Sequence, residues 1–186
     1  MARRKIGSAV LPDSIVVAGL AAIIDSNLTD WTVDSVAARA GCAKGLVLYH
    51  FKSKDALLLR VADRVRQNQV NQRLDALKGG TKGAASLDRL WTALTSDVRA
   101  GGFGLWVGLL ADPRTRKAAA RTAQDDGELI AASAEALGVP ADSLALPLIP
   151  AALDGYSLDL LQGRASADVR ERFDSFWLGV LSDAEP

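Results

Sequence analysis

Cysteine and histidine are all but missing from this 186-residue chain, which has one of each, Cys42 and His50. A lone cysteine excludes an internal disulfide, and a lone histidine excludes a metal site built on several imidazoles, so neither a structural metal nor a cofactor is expected. Aromatic residues are scarce at 5%, and strict apolar–polar alternation is nearly absent, which argues against half-buried strands. The net charge is zero, so overall basicity offers no argument for nucleic acid. No stretch reaches the roughly 18 consecutive apolar residues of a membrane span. The longest apolar run, Leu144 to Leu153, is interrupted by Pro147 and Pro150. The basic start Met-Ala-Arg-Arg-Lys is not followed by an apolar segment, so a cytoplasmic protein without membrane contact is expected.

What is present is helix-forming. Hydrophobic residues make up 49% and charged residues 24%, a balance that supports a folded core and argues against disorder. The apolar spacing predicts an all-α protein of about nine helices. The first runs from Pro12 to Ser26, with Asn27 as a left-handed stop. The second follows Thr32, a residue able to cap free N–H groups, and ends at Gly41. The third, Lys44 to His50, points Val47 and Phe51 inward. A longer fourth helix begins after Ser53 and breaks in the Gly-rich run Lys78 to Gly83. Helices are then expected around Leu87–Val98, Phe103–Leu110, Arg114–Leu137, Asp142–Gln162 and Ala167–Leu181, with Pro147 and Pro150 predicting a kink or late start in the eighth. Charge is uneven along this series. Residues 1–66 carry 10 Lys and Arg against 6 Asp and Glu, and residues 67–186 carry 12 against 16.

Two short helices around a glycine-containing turn have the proportions of a DNA-binding helix-turn-helix, whose second helix enters the major groove. Lys44, Leu46, Tyr49 and His50 face outward from that second helix, and Lys54 follows at the next helix start, a set suited to phosphate. Thr32-Val33-Asp34-Ser35-Val36-Ala37-Ala38-Arg39-Ala40-Gly41, followed by Lys44-Gly45-Leu46-Val47-Leu48-Tyr49-His50-Phe51-Lys52-Ser53-Lys54-Asp55-Ala56-Leu57, resembles the N-terminal signature of the tetracycline-repressor (TetR) family. The resemblance spans about residues 12–60. It implies a helix-turn-helix domain over 1–55 and a ligand-binding and dimerisation domain over 56–186. It also implies a homodimer on a double-stranded operator, and release of a repressor by a small, hydrophobic or amphipathic effector. Carried over by position, Thr32, Ala43, Lys44, Gly45, Leu46, Tyr49, His50 and Lys54 are the DNA-binding set. Leu48 departs from the family, which usually has tyrosine there, and here the tyrosine is displaced to Tyr49. Asn27 replaces a usual glycine. Cys42 stands where a small apolar residue packs, so it reads as core and not as a redox sensor.

In the C-terminal half, Trp91, Phe103, Trp106, Asp125 and Asp154 are the candidates for touching an effector, since small-molecule sites combine apolar walls with a few polar groups. Ala152, Tyr156, Leu158, Leu161, Phe173, Phe176, Trp177 and Val180 supply more apolar surface than two terminal helices need, which suggests a dimer face. A helical interaction module that has lost DNA binding, with Leu48 as its mark, and a regulator without an inducer remain as alternatives. An enzyme is not expected, because the single His and Cys both fall in the helix-turn-helix segment and leave no nucleophile–base pair.

Overall fold

The computed structural model describes residues 11–182, and the basic residues Arg3, Arg4 and Lys5 lie outside that range. Every regular element among the described residues is helical: α1 (Pro12–Asp30), α2 (Val33–Arg39), α3 (Lys44–Phe51), α4 (Lys54–Lys78), α5 (Ala84–Arg99), α6 (Gly102–Ala111), α7 (Arg116–Ala119), α8 (Ala123–Leu137), α9 (Ile149–Leu161) and α10 (Ser166–Ser182), with a 3-10 turn at Leu146–Leu148. Nine of these are substantial helices, and α7 is a single turn. Two compact units share the chain, one comprising the residues up to Val65 together with Leu105–Ala119, the other Arg66–Gly104 and the chain from Ala120 onward. The helices α4 and α6 each contribute to both.

The first unit is built on α1 to α3 and the start of α4. Ile15, Val16, Ala22 and Ile23 of α1, Val33, Val36 and Ala37 of α2, Val47 and Phe51 of α3, and Leu57, Leu58, Val61 and Val65 of α4 are all buried. Gly19 lets α1 approach α4 closely, because a Cβ there would lie 3.0 Å from Val61 Cγ2. Asn27 interrupts α1 as a positive-φ residue, yet the helix resumes for a further turn to Asp30. In the same unit the Trp106 indole N–H donates to the Ala119 carbonyl at 2.8 Å, and Thr115 Oγ1 donates to the Leu109 carbonyl at 2.7 Å.

The second unit closes around Val70, Leu74 and Leu77 of α4, Leu90 and Leu94 of α5, Leu129 and Ala132 of α8, Ile149 and Leu153 of α9, and Phe173, Trp177 and Val180 of α10. Two expectations change here. The single helix expected from Arg114 to Leu137 is broken after α7, because Thr122 begins α8 afresh: its Oγ1 accepts from the Asp125 N–H at 3.1 Å, and the Asp125 carboxylate accepts from the Thr122 N–H at 2.7 Å. The helix expected from Asp142 starts at Ile149 instead, after the 3-10 turn that contains Pro147 and with Pro150 in its own first turn, where a missing N–H costs nothing.

Candidate nucleic-acid interface

The helix-turn-helix is held by its ends. Thr32 closes a capping box with Ser35: the Ser35 N–H donates to Thr32 Oγ1 at 3.0 Å, and the Thr32 N–H donates to Ser35 Oγ at 3.1 Å. Such a cap is worth about 1 kcal/mol. Gly41 ends the turn at φ 66, where a side chain would be strained. Ala43 is the extended residue before α3, and the Ala56 N–H donates to Ser53 Oγ at 3.0 Å to start α4.

Because Val47 and Phe51 anchor α3 to the interior, the opposite side of this helix faces outward. Lys44 and Gly45 are exposed, Leu46 and His50 are half-buried, Leu48 is 37% exposed and Tyr49 is 68% exposed. Lys44 Nζ lies 2.8 Å from Asp34 of α2, so its charge is partnered by an equally exposed carboxylate. His50 stands edge-on to both Tyr49 and Phe51. Lys54 Nζ sits 4.6 Å above the ring of the buried Trp31, which holds the ammonium at the start of α4. The structure therefore gathers Ala43, Lys44, Gly45, Leu46, Tyr49 and His50 on one short helix and its approach, with Thr32 and Lys54 at the starts of the helices on either side. Cys42 is a free, half-buried thiol in the turn.

The candidates in the second half are dispersed. Phe103 is buried in the second unit, whereas Trp106 belongs to the first and spends its N–H on Ala119. Trp91 packs against Phe173, with ring centroids 5.4 Å apart, and Phe173 in turn meets Tyr156 and Trp177. Residues divided in the sequence between an effector site and a dimer face thus form one aromatic cluster. Phe173, Trp177 and Val180 are sealed within their own chain, which corrects their expected place on an outer face. The cause is the packing of α10 against α5 and α9, which uses those side chains as core. Leu158 and Leu161 remain outside at 42% and 40% exposure, Ala152, Tyr156 and Phe176 are half-buried, and Leu178, unforeseen, is 67% exposed.

Asp125 and Asp154 belong to a charged cluster in the second unit that sequence reasoning largely missed. Arg73, 3% exposed, places Nη1 2.8 Å from Asp154 Oδ1 in a contact that is an ion pair and not a well-aligned hydrogen bond. Arg121 bridges Asp154 and Asp126, and Arg66 pairs with Asp125 at 2.6 Å. Burial pulls the Arg73 pKa down, and Asp154 only partly restores it. Burial also lowers that of Arg121, but Asp154 and Asp126 outweigh it and the net shift is upward. For Asp125, burial is overcome by hydrogen bonds from Thr122 and Arg66, which hold its carboxyl below the usual range. The Gln69 amide donates to Asp97, whose carboxyl burial pushes up. Arg66, Gln69 and Arg73 recur at i, i+3 and i+7 on α4, and this polar stripe beside Val70, Leu74 and Leu77 is the sequence signal that points to the cluster. A separate groove of about 310 Å³, with Ala84, Leu87, Arg170 and Trp177 in its walls, is lined by none of the five effector candidates. Among the described residues, no group of three or more His, Cys, Asp or Glu is placed to hold a metal ion, and no helix is long and apolar enough to cross a membrane.

Fold and interface define an all-α protein with a helix-turn-helix unit at its amino-terminal end. Residues 15–61 match the family model of bacterial regulatory proteins, tetR family. That segment runs from α1 to the start of α4, so in its helix-turn-helix the chain is similar to that family. A Rhodococcus sp. protein assigned to the TetR-family transcriptional regulators superposes with a TM-score of 0.70 at 24% identity, covering 91% of this chain and 97% of that one. The multidrug binding protein EbrR complexed with imidazole gives 0.58 at 21%, covering 89% and 93%. The TetR-like transcriptional regulator LfrR from Mycobacterium smegmatis in complex with proflavine gives 0.55 at 18%, covering 94% and 97%. These likenesses show a shared fold over nearly the whole chain. No curated protein matches the sequence.

Proposed function

We propose that this protein is a cytoplasmic, homodimeric transcriptional repressor that binds a double-stranded operator through α2 and α3 and is released by a small hydrophobic or amphipathic effector. The observation that carries the reading is the outward side of α3. Val47 and Phe51 fix the helix from beneath, Lys44 and Tyr49 stand clear, His50 is half-exposed, and Lys54 follows at the start of α4. In this reading residues 1–55 bind DNA, and Thr32, Ala43, Lys44, Gly45, Leu46, Tyr49, His50 and Lys54 meet it. Residues 56–186 hold the effector and the dimer contact. Asp125 and Asp154 are the polar groups of the effector site, and Trp91 and Phe103 are part of its apolar wall. The complexes of EbrR with imidazole and of LfrR with proflavine support a ligand-responsive second half. Exposed Leu158 and Leu161 on α9 support a self-association face, and a twofold dimer would present two recognition helices about one DNA turn apart. No catalytic role is assigned, since Cys42 and His50 lie in the segment that reads DNA.

The test is retention of duplexes selected from a randomised pool, measured against salt concentration. Replacing Lys44 or Lys54 by alanine should weaken binding at every sequence and reduce the salt slope by about one for each phosphate no longer neutralised. Unchanged affinity and slope in both variants would take α3 and Lys54 out of the DNA contact, and no salt-dependent retention by the unaltered protein would favour a helical interaction module without DNA binding.

A further inference from the structure

We propose that the operator half-site is read chiefly through thymine 5-methyl groups, by Leu46 and Leu48 on either side of the outermost line of α3. The proposal rests on the groove-facing role of α3 and adds which chemical feature of the bases that helix selects.

Hydrogen-bonding readout of base edges needs particular side chains. Adenine is matched by Asn or Gln, guanine by Arg or Lys, cytosine by a carboxylate, and the thymine methyl by an apolar group. Between Lys44 and Phe51, α3 contains no Asn, Gln, Arg, Asp, Glu, Ser or Thr. Its polar side chains are Lys44, which sits in the first turn against Asp34, the single hydroxyl of Tyr49, and the half-buried imidazole of His50. Such a surface is well supplied for phosphate and poorly supplied for bidentate contact with a base.

What it does present is hydrocarbon held beside an open backbone. Gly45 lies one turn before Tyr49, opposite the buried Val47, and among the described residues a Cβ added to it would meet no packing neighbour within 4 Å. Neither packing among the described residues nor a positive φ calls for glycine in this first turn of α3, where it costs at most the roughly 1 kcal/mol that glycine costs relative to alanine in a helix interior. Its compensation is close approach by something outside the chain. Leu46 and Leu48 flank that line. Leu48, at 37% exposure, lacks a covering neighbour sufficient to bury it. An exposed leucine next to a backbone that can sink into a groove meets whatever apolar group the groove offers, and in duplex DNA that group is the thymine methyl.

The experiment uses the full chain and a duplex recovered by selection from randomised DNA. It compares that duplex with one in which the fixed thymidines of each half-site are replaced by deoxyuridine, removing the methyl and keeping the pairing. The selected half-sites should contain fixed thymines, and removal of each methyl that a leucine touches should weaken binding about fourfold, the equivalent of one buried CH₂. In Leu46→Ala and Leu48→Ala the thymine-to-uracil ratio should fall toward one. Because the key comparison alters the DNA and not the protein, it does not depend on the variants folding. Sequence-specific, salt-dependent binding that is indifferent to uracil, or a ratio that both leucine variants leave intact, overturns the methyl-reading proposal alone. Failure to retain any duplex in a salt-dependent way overturns the DNA-binding reading with it.

Discussion

Asn27 adopts φ 73 and ψ 161, a combination that glycine enters freely and a residue with a Cβ enters at a cost of about 1–3 kcal/mol. Its positive φ is legible in the sequence, where asparagine follows a helical pattern. Its ψ is not, and the extended value is what lets α1 resume for another turn instead of ending. Asn27→Gly should therefore stabilise the protein by about 1 kcal/mol even after the added freedom of the unfolded glycine is subtracted. That is a rise in Tm of about 2–4 °C for a chain of this size. A lower Tm would show that the asparagine side chain supplies more than the backbone loses. Asp97 offers a test of opposite origin. Burial is the main cause of its raised pKa, and the Gln69 hydrogen bond and the Arg73 charge do not cancel it. A carboxyl whose pKa is higher in the folded than in the unfolded state favours folding while protonated, and that contribution is lost as pH rises through the folded pKa. At neutral pH the ionised Asp97 is a net burden. Asp97→Asn, which keeps an acceptor for Gln69, should raise the urea midpoint near neutrality, and the gain should shrink as pH falls through the raised folded value toward the ordinary carboxyl value of 3.8. A gain independent of pH would assign it to packing.

At the scale of elements, α2, α3 and the start of α4 are readable in the sequence because three signals coincide: a cap at Thr32, a positive-φ glycine at Gly41, and inward residues at helical spacing. The break before α8 is hidden because Ala118, Ala119 and Ala120 suit helix continuation, while the pattern that ends it, Thr122 with Asp125, is short and polar. The late start of α9 is written in Pro147 and Pro150. Elements also carry a test of the interface that does not rely on charge. In Gly45→Ala the new methyl meets no packing neighbour among the described residues, so the first turn of α3 should gain helix stability, up to about 1 kcal/mol. In the proposed reading the same methyl stands on the side of α3 that enters the groove and should weaken duplex binding. Thermal melting and DNA titration should move in opposite directions, an outcome that a merely structural glycine could not produce. Parallel gains would place the DNA elsewhere.

Considered as a whole, the molecule segregates its charge, with an excess of Lys and Arg in residues 1–66 and of Asp and Glu beyond them. Composition alone shows that much. What it conceals is that the second unit does not have a purely apolar interior, because Arg73 and Arg121 converge on Asp154 from distant parts of the chain. Burying such ions is expensive, and replacing a complete buried pair with apolar residues is often neutral or better, whereas removing one partner costs about 3–5 kcal/mol. Asp154→Ala strips Arg73 of the carboxylate it pairs with and should fall in that range, while Arg121 keeps Asp126. The double variant Arg73→Met with Asp154→Leu removes both charges and should recover most of the loss in a denaturant titration. If it does, the pair is not needed for folding, and its retention is better explained by the polar groups it offers an effector in the proposed reading. If the double variant is as unstable as Asp154→Ala, the ions are part of what holds the second unit together, and the effector must be sought at groups outside this network.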